Sequence, residues 1–390
     1  MIPRVLAEQV QGRRQRYPVV TITGPRQSGK TTLCRAVASD LSYASLEAPD
    51  VRRFALEDPR GFLGQYPDGA VLDEVQRAPE LLSYLQGLVD ERGVNGRWVL
   101  TGSQNFALVE GLSQSLAGRT AVLNLLPFEL LELQAARPTG DLFETLLAGG
   151  YPRIHDQAIP PREFHADYVA TYVERDVRQL LNVGDLTAFQ TFLRVVAGRS
   201  GQLVNLSALG ADVGVSYKTA RAWLSVLEAG YLVLRLPPRH RNVTKRVVKA
   251  HKLHFLDSGL LCFLLGIQEP GQLLHHPLRG AIFESWVASE IWKTRAHRGL
   301  ASDLSFYRDR RGTEVDLVLE RGGRLTAIEV KSGGTVAPEF QKPLTAFTEQ
   351  LEPAMRDQVE RFVVYGGDRE ERRSETSVIP WTRVGEVARD

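Results

Sequence analysis

The chain has 390 residues and a mass of 43.4 kDa, enough for two or three domains at roughly 150 residues each. Hydrophobic residues make up 43% and charged residues 24%, which excludes a disordered or fibrous protein, and 48 Lys and Arg against 46 Asp and Glu leave a net charge of +2 that favours neither an acidic nor a basic partner. Cys34 and Cys262 are the only cysteines, which excludes a disulfide framework and a thiolate zinc site. The apolar run Leu260 to Ile267 is far shorter than the ~20 residues of a membrane helix, and the first residues lack the apolar core of a signal peptide. A reduced, cytoplasmic, soluble protein without membrane association is expected.

Along residues 1–135, apolar runs at Val19–Thr23, Ala70–Leu72, Trp98–Thr101 and Ala121–Leu125 alternate with mixed segments. Pro79–Asp90 has helical apolar spacing, so the pattern predicts a parallel sheet covered by helices. Residues 136–185 read as helical. Short helices follow over 186–236, closing on a strand-like run at Tyr231–Leu236. Arg235–Lys252 then holds seven Lys or Arg, two His and no acid. Beyond it, helices are predicted over Phe255–Gly266 and Ala281–Lys293. Strands follow at Leu304–Arg308, Glu314–Glu320, Arg324–Lys331 and Arg361–Tyr365.

Gly24-Pro25-Arg26-Gln27-Ser28-Gly29-Lys30-Thr31 fits G-x-x-x-x-G-K-(S/T) between an apolar strand and a helix, with Thr32 next. Backbone N–H groups of such a loop cradle phosphate oxygens, and the two glycines reach conformations that a Cβ forbids. Lys30 is placed to reach the β- and γ-phosphates and Thr31 to ligate Mg²⁺. The strand Ala70–Leu72 ends on Asp73 and Glu74: the first suits Mg²⁺, the second the attacking water. Trp98–Thr101 ends on small polar residues, of which Ser103 or Asn105 is the candidate to face the γ-phosphate; turn chemistry is the alternative. In this order the elements resemble the AAA+ branch of P-loop ATPases, whose third element is called sensor 1. That resemblance makes Arg119 a candidate arginine finger, which implies oligomers; a surface salt bridge is the alternative, and Arg153 could act instead from the helical segment.

Ser207–Leu236 looks like a winged helix-turn-helix. Ser216 is a good N-cap for a helix over Tyr217–Glu228, with Ala220, Leu224 and Leu227 at buried spacing. Lys218, Thr219 and Arg221 lie in its first turns, where a recognition helix meets DNA; a packing module of the same shape is the alternative. The adjoining basic run suits phosphate contact.

Gly312–Glu320 and Arg324–Lys331 alternate on either side of Gly322-Gly323, a two-residue hairpin turn. This register sets Asp316 opposite Glu329 and Glu314 opposite Lys331, all on one face, with Val315, Leu317, Ile328 and Val330 on the other. Facing carboxylates suit Mg²⁺ held by Asp316 and Glu329, with Lys331 offsetting charge and Glu284 as a further acid. The implied chemistry is phosphodiester hydrolysis; a solvated hairpin with a Glu314–Lys331 pair is the alternative.

With GPRQSGKTTL, VLDEVQ, LTGSQN, SLAGR, LPFEL, GGYP, FLDSGLL, FES, GTEVDLV and IEVK in this order, nearly the whole chain resembles a prokaryotic architecture. In it an N-terminal AAA+ ATPase domain precedes a C-terminal restriction-endonuclease-like domain of the PD-(D/E)XK class. The resemblance implies an α/β fold: an ATPase core over 1–135, a helical lid over 136–185, a winged-helix-like module over 186–240 and an endonuclease-like domain over 241–390. It implies Glu284, Asp316, Glu329 and Lys331 as the nuclease positions. The expected function is that of a Mg²⁺-dependent ATPase whose nucleotide state controls a domain that binds, and cuts if its site is active, nucleic acid. An ATP-switched regulator with a silent nuclease-like scaffold is the alternative.

Overall fold

The structure, a computed structural model, describes residues 2–102, 115–173, 186–239 and 250–388. It divides into two compact units. Unit 1 is 1–128 with 229–231 and 296–300; unit 2 takes the remainder. The long segment of the first unit ends at Phe128, and two short downstream segments join it.

Unit 1 holds a five-stranded parallel sheet. Its strands are β1 (Val19–Thr23), β2 (Ser42–Ser45), β3 (Ala70–Asp73), β4 (Trp98–Gly102) and β5 (Thr120–Asn124), in the order β2-β3-β4-β1-β5. All five residues of β1 are buried, as a central parallel strand requires. Alternate side chains feed two cores. Val20, Ile22, Val71 and Val99 pack with Leu33 and Val37 of helix α1 (Lys30–Val37), while Val19, Leu72 and Leu100 pack with Leu82 and Leu85 of helix α2 (Leu81–Arg92). This three-layer arrangement puts the loop after β1 and the end of β3 at the same, carboxyl edge of the sheet, where open α/β sheets bind ligands. β2 is an edge strand of mixed exposure with no apolar run, so the sequence pattern passes over it.

Unit 2 has one large core running from Leu130 to Ala388. Its middle part is a helix (Leu186–Gly198), a short strand β6 (Gln202–Leu203), helix α3 (Leu206–Val213), helix α4 (Tyr217–Ala229) and strands β7 (Val233–Leu236) and β8 (Lys252–Phe255). The three strands form a small antiparallel sheet in the order β6-β8-β7. Ser216 caps α4, its hydroxyl accepting from Thr219 N at 3.1 Å, and Ala220, Leu224 and Leu227 are buried as their spacing predicts.

The rest of unit 2 is built on helix α5 (Arg279–His297) and a six-stranded mixed sheet. Its strands are β9 (Leu304–Arg308), β10 (Glu314–Arg321), β11 (Arg324–Lys331), β12 (Val359–Tyr365), β13 (Glu371–Arg373) and β14 (Thr376–Pro380), in the order β13-β14-β12-β11-β10-β9. The β10–β11 hairpin turns on Gly322-Gly323, with φ of 51° and 87°, and its register runs from Leu317 opposite Ile328 to Arg321 opposite Arg324, as the glycine pair predicts. The expected faces need one correction. Leu317, Ile328 and Val330 join the large core, but Val315 packs with Val318, Leu325, Ala327 and Leu344 on the opposite side. An irregularity between Val315 and Val318 in the pairing with β9 adds a residue to the alternation and moves Val315 across the sheet.

Candidate functional site

The loop after β1 is shaped by its glycines. Gly24 has φ of 152°, and a Cβ there would lie 2.0 Å from Leu125 O; Gly29 has φ of 94° where α1 begins. Pro25 and Ser28 are buried, Arg26 is partly exposed, and Gln27 and Thr32 face outward. Ser28 Oγ is buried without a hydrogen-bond partner among the described residues. Lys30 is 6% exposed, and its ammonium donates to Gly24 O at 3.0 Å and Pro25 O at 2.8 Å, closing the loop on itself. Burial lowers its pKa, opposed by Glu74 and Asp73. Arg4, outside every motif, braces the same loop: its guanidinium donates to Ser28 O at 2.8 Å and Leu126 O at 2.6 Å.

Asp73 ends β3 buried and collects three hydroxyls. Thr31 Oγ1 donates to Oδ2 at 2.8 Å, Tyr43 OH donates to the same oxygen at 2.6 Å, and Thr101 Oγ1 donates to Oδ1. Tyr43, on β2, carries no motif; only the strand order brings it beside Asp73, where burial and the carboxylate push its pKa up to about 12. Thr31 and Asp73 thus present an oxygen-donor pair of the kind Mg²⁺ prefers, at the mouth of the phosphate loop. Glu74 has a left-handed backbone, φ 61°, which turns the chain sharply at the strand end. Its carboxylate accepts from Gln76 Nε2, and its N–H donates to Thr101 Oγ1 at 3.3 Å.

Ser103 and Asn105 lie outside the described residues. Arg119 directs Nε and Nη2 at Asp90 within its own unit, at 2.5 and 2.8 Å. Arg153 bonds Gln157 Oε1 at 3.1 Å on a short helix of unit 2.

The C-terminal candidates gather around a lysine that no strand alternation singles out. Lys252 of β8 is 4% exposed, and its ammonium lies 2.7 Å from Glu284 Oε1, 2.6 Å from Glu314 Oε1 and 3.8 Å from Asp316 Oδ1. Burial alone would lower its pKa; Glu284, Asp316 and Glu314 together raise it. Asp316 Oδ2 accepts from Val330 N at 2.8 Å, and Lys331 pairs with Glu329 at 2.5 Å rather than with Glu314, whose other partner is Arg308 at 3.4 Å. Burial pushes the carboxyls of Glu284, Asp316 and Glu329 up, and Asp316 adds to this for the two glutamates. Among the described residues no three His, Cys, Asp or Glu side chains stand together as metal ligands.

Lys218 and Arg221 are exposed on α4, beside partly exposed Thr219 and exposed Tyr217. The basic run is more neutralised than its composition implies. Arg235 pairs with Glu228, Arg239 lies 3.4 Å from Glu320, and Lys252 is buried among acids. The four remaining basic residues fall in 240–249, outside the described residues.

Residues 16–134 match the AAA domain family, and residues 139–271 and 279–384 match two domains of unknown function (DUF8612 and DUF4143). The uncharacterized proteins Rv2008c of Mycobacterium tuberculosis and Mb2031c of Mycobacterium bovis are each 31% identical over 326 residues, covering 82% of this chain and 71% of theirs. The chain belongs to their family. It carries an AAA-type P-loop ATPase domain on a parallel sheet, followed by regions whose activity the family descriptions leave unstated. Among solved structures it is similar to a Walker-type ATPase of Pyrococcus abyssi, at 14% identity over 66% of this chain and 94% of that one, with a TM-score of 0.45. AMPPCP-bound DnaA from Aquifex aeolicus aligns over 57% of this chain and 86% of its own at 14% identity, TM-score 0.31. Among the described residues no helix is long and apolar enough to cross a membrane.

Proposed function

We propose that this protein is a Mg²⁺-dependent ATPase whose nucleotide state controls nucleic-acid binding by its C-terminal unit. The observation that carries the ATPase reading is the 2.8 Å bond between Thr31 and Asp73, which joins the phosphate loop to the acid-bearing strand end. Backbone N–H groups of Gly24 to Thr32 receive the phosphates, and Lys30 exchanges the carbonyls of Gly24 and Pro25 for phosphoryl oxygens. Thr31 and Asp73 would hold Mg²⁺, which supplies charge neutralisation at the transferring phosphoryl group. Glu74 orients the attacking water and accepts its proton. Arg119 reaches a neighbouring subunit's nucleotide after leaving Asp90, with Arg153 as the other source of that charge. Nucleic acid, most simply DNA, meets Lys218, Thr219 and Arg221 through its phosphates.

For the C-terminal site two readings stand. In one, Glu284, Asp316, Glu329 and Lys331 form a Mg²⁺-dependent nuclease centre. In the other the same fold is a silent scaffold for DNA or protein binding, and the ammonium of Lys252 among its carboxylates favours this second reading.

The deciding experiment measures ATP hydrolysis and DNA cleavage by wild type, Lys30→Ala, Glu74→Gln and Asp316→Ala, with and without duplex DNA. Lys30→Ala and Glu74→Gln are expected to lose hydrolysis by on the order of 10²-fold or more. Wild-type hydrolysis by Glu74→Gln would remove Glu74 as the base. Cleavage that Asp316→Ala abolishes would establish the nuclease; none under any condition leaves the scaffold.

A further inference from the structure

In unit 2, helix Leu130–Ala136 and helix Leu142–Ala148 leave a gap between them. Leu130, Leu133 and Arg137 recur at the spacing of one helix face, and Glu144 and Ala148 do the same on the second helix. The cavity that these residues line, with His155, has a volume of about 320 Å³, enough for a small molecule. Leu130 and Leu133 are buried and give it an apolar wall.

Arg137 is aimed by a neutral ring. His155 Nε2 lies 2.8 Å from Gly149 O and must donate to it, which leaves Nδ1 as an acceptor, and Arg137 Nη2 donates to that atom. Burial first, and then the Arg137 charge, hold the His155 pKa below its ordinary 6.5, so the ring keeps the neutral form that this bond requires. The guanidinium is thus fixed by a neutral partner, and among the described residues no carboxylate pairs with it. Glu144 lines the same cavity and has no ion-pair partner among the described residues, Arg137 included. Asp141, between the two in sequence, is committed to the helix start: its Oδ1 accepts from Phe143 N at 2.8 Å and Glu144 N at 3.4 Å. One cavity therefore presents a positive and a negative group that do not close on each other, beside an apolar wall.

We propose that this cavity binds a free α-amino acid with an apolar side chain. The Arg137 fork takes the carboxylate, Glu144 takes the ammonium, and the side chain lies on Leu130, Leu133 and Ala148. The site is built wholly from unit 2, so it stands whether or not unit 1 hydrolyses ATP.

The test is saturation-transfer NMR of the full chain against the complete set of standard amino acids, with calorimetry on those that bind. Saturable binding of one or more apolar amino acids is expected. The N-acetyl and carboxamide derivatives of the tightest should each bind weaker by about tenfold or more, because each lacks one of the two charges. Arg137→Ala should weaken the free amino acid by a similar factor. Glu144→Gln should do so too, yet leave the N-acetyl derivative as in wild type, a pattern that mere loss of structure would not give. Both side chains are exposed, so both variants should melt with wild type; Arg137→Gln replaces Arg137→Ala if that one melts early. No saturable binding by any amino acid, equal affinity for the free and N-acetyl forms, or full binding without Arg137 overturns the proposal.

Discussion

Three hydroxyls donate to the Asp73 carboxylate, while the side chain of its neighbour Glu74 accepts from the amide of Gln76. A hydrogen bond from Gln76 holds the Glu74 carboxylate in one rotamer, which it must leave to orient water if it serves as the proposed base. Gln76→Ala is therefore expected to raise kcat for ATP hydrolysis several-fold while KM for ATP stays put. A fall in both would show that Gln76 assists the chemistry. The loop and its acids were legible because G-x-x-x-x-G-K-T and a strand ending in two acids are local patterns. Arg4, Tyr43 and Lys252 were not. Each acts on a partner between 24 and 122 residues away, and no spacing along the chain encodes that distance.

At the scale of elements, β8 shows how a short strand escapes notice. Its four residues carry a lysine and a histidine, both buried, so it reads as the end of a basic stretch. The β10–β11 hairpin shows the reverse: paired glycines set the register correctly, yet the irregularity beside Val315 broke the face assignment, because one extra residue inverts every side chain beyond it. β8 also has a consequence for acid stability. Burial first, and then Lys252, hold the His254 pKa down at about 3 against an ordinary 6.5. The folded chain leaves His254 neutral across that interval while the unfolded chain protonates it. Its contribution is thus intact above about pH 6.5 and is lost as pH falls toward 3. In His254→Gln this loss is absent. The stability advantage of wild type over the variant should shrink by about 2 kcal/mol from pH 7.5 to pH 5, followed by denaturant unfolding. The raised carboxyls of Glu284 and Glu329 act in the opposite sense, gaining as pH falls, but they are present in both proteins and cancel in the difference.

On the scale of the whole molecule, Arg119 bears on whether active chains work alone. Arg119 is engaged with Asp90 of its own unit through two bonds, and both side chains are partly exposed. Exposed pairs of this kind are weak enough to be exchanged for a nucleotide phosphate. If Arg119 serves a neighbouring subunit, Arg119→Ala should lose hydrolysis by roughly 10³-fold. Mixing it with Lys30→Ala should then restore part of the activity, because each chain supplies what the other lacks. Activity within twofold of wild type would confine Arg119 to its pair with Asp90. Family membership adds the order of the parts, an AAA domain ahead of two regions of unknown function, to what the motifs specify.

Unit 1 is not finished when its sheet is finished. Tyr231, from far downstream, donates its hydroxyl to Asn124 Oδ1 at 2.8 Å at the end of β5, and His297 Nε2 accepts from Leu126 N at 3.2 Å beside the oxygen that Arg4 grips. These pieces belong to the nucleotide-binding unit by contact, yet the ribosome makes Tyr231 only after the first segment of unit 2, and His297 only after its second. During synthesis the phosphate loop emerges early but waits for its last supports. A nascent chain therefore completes its ATP site late, once the C-terminal unit is already largely translated.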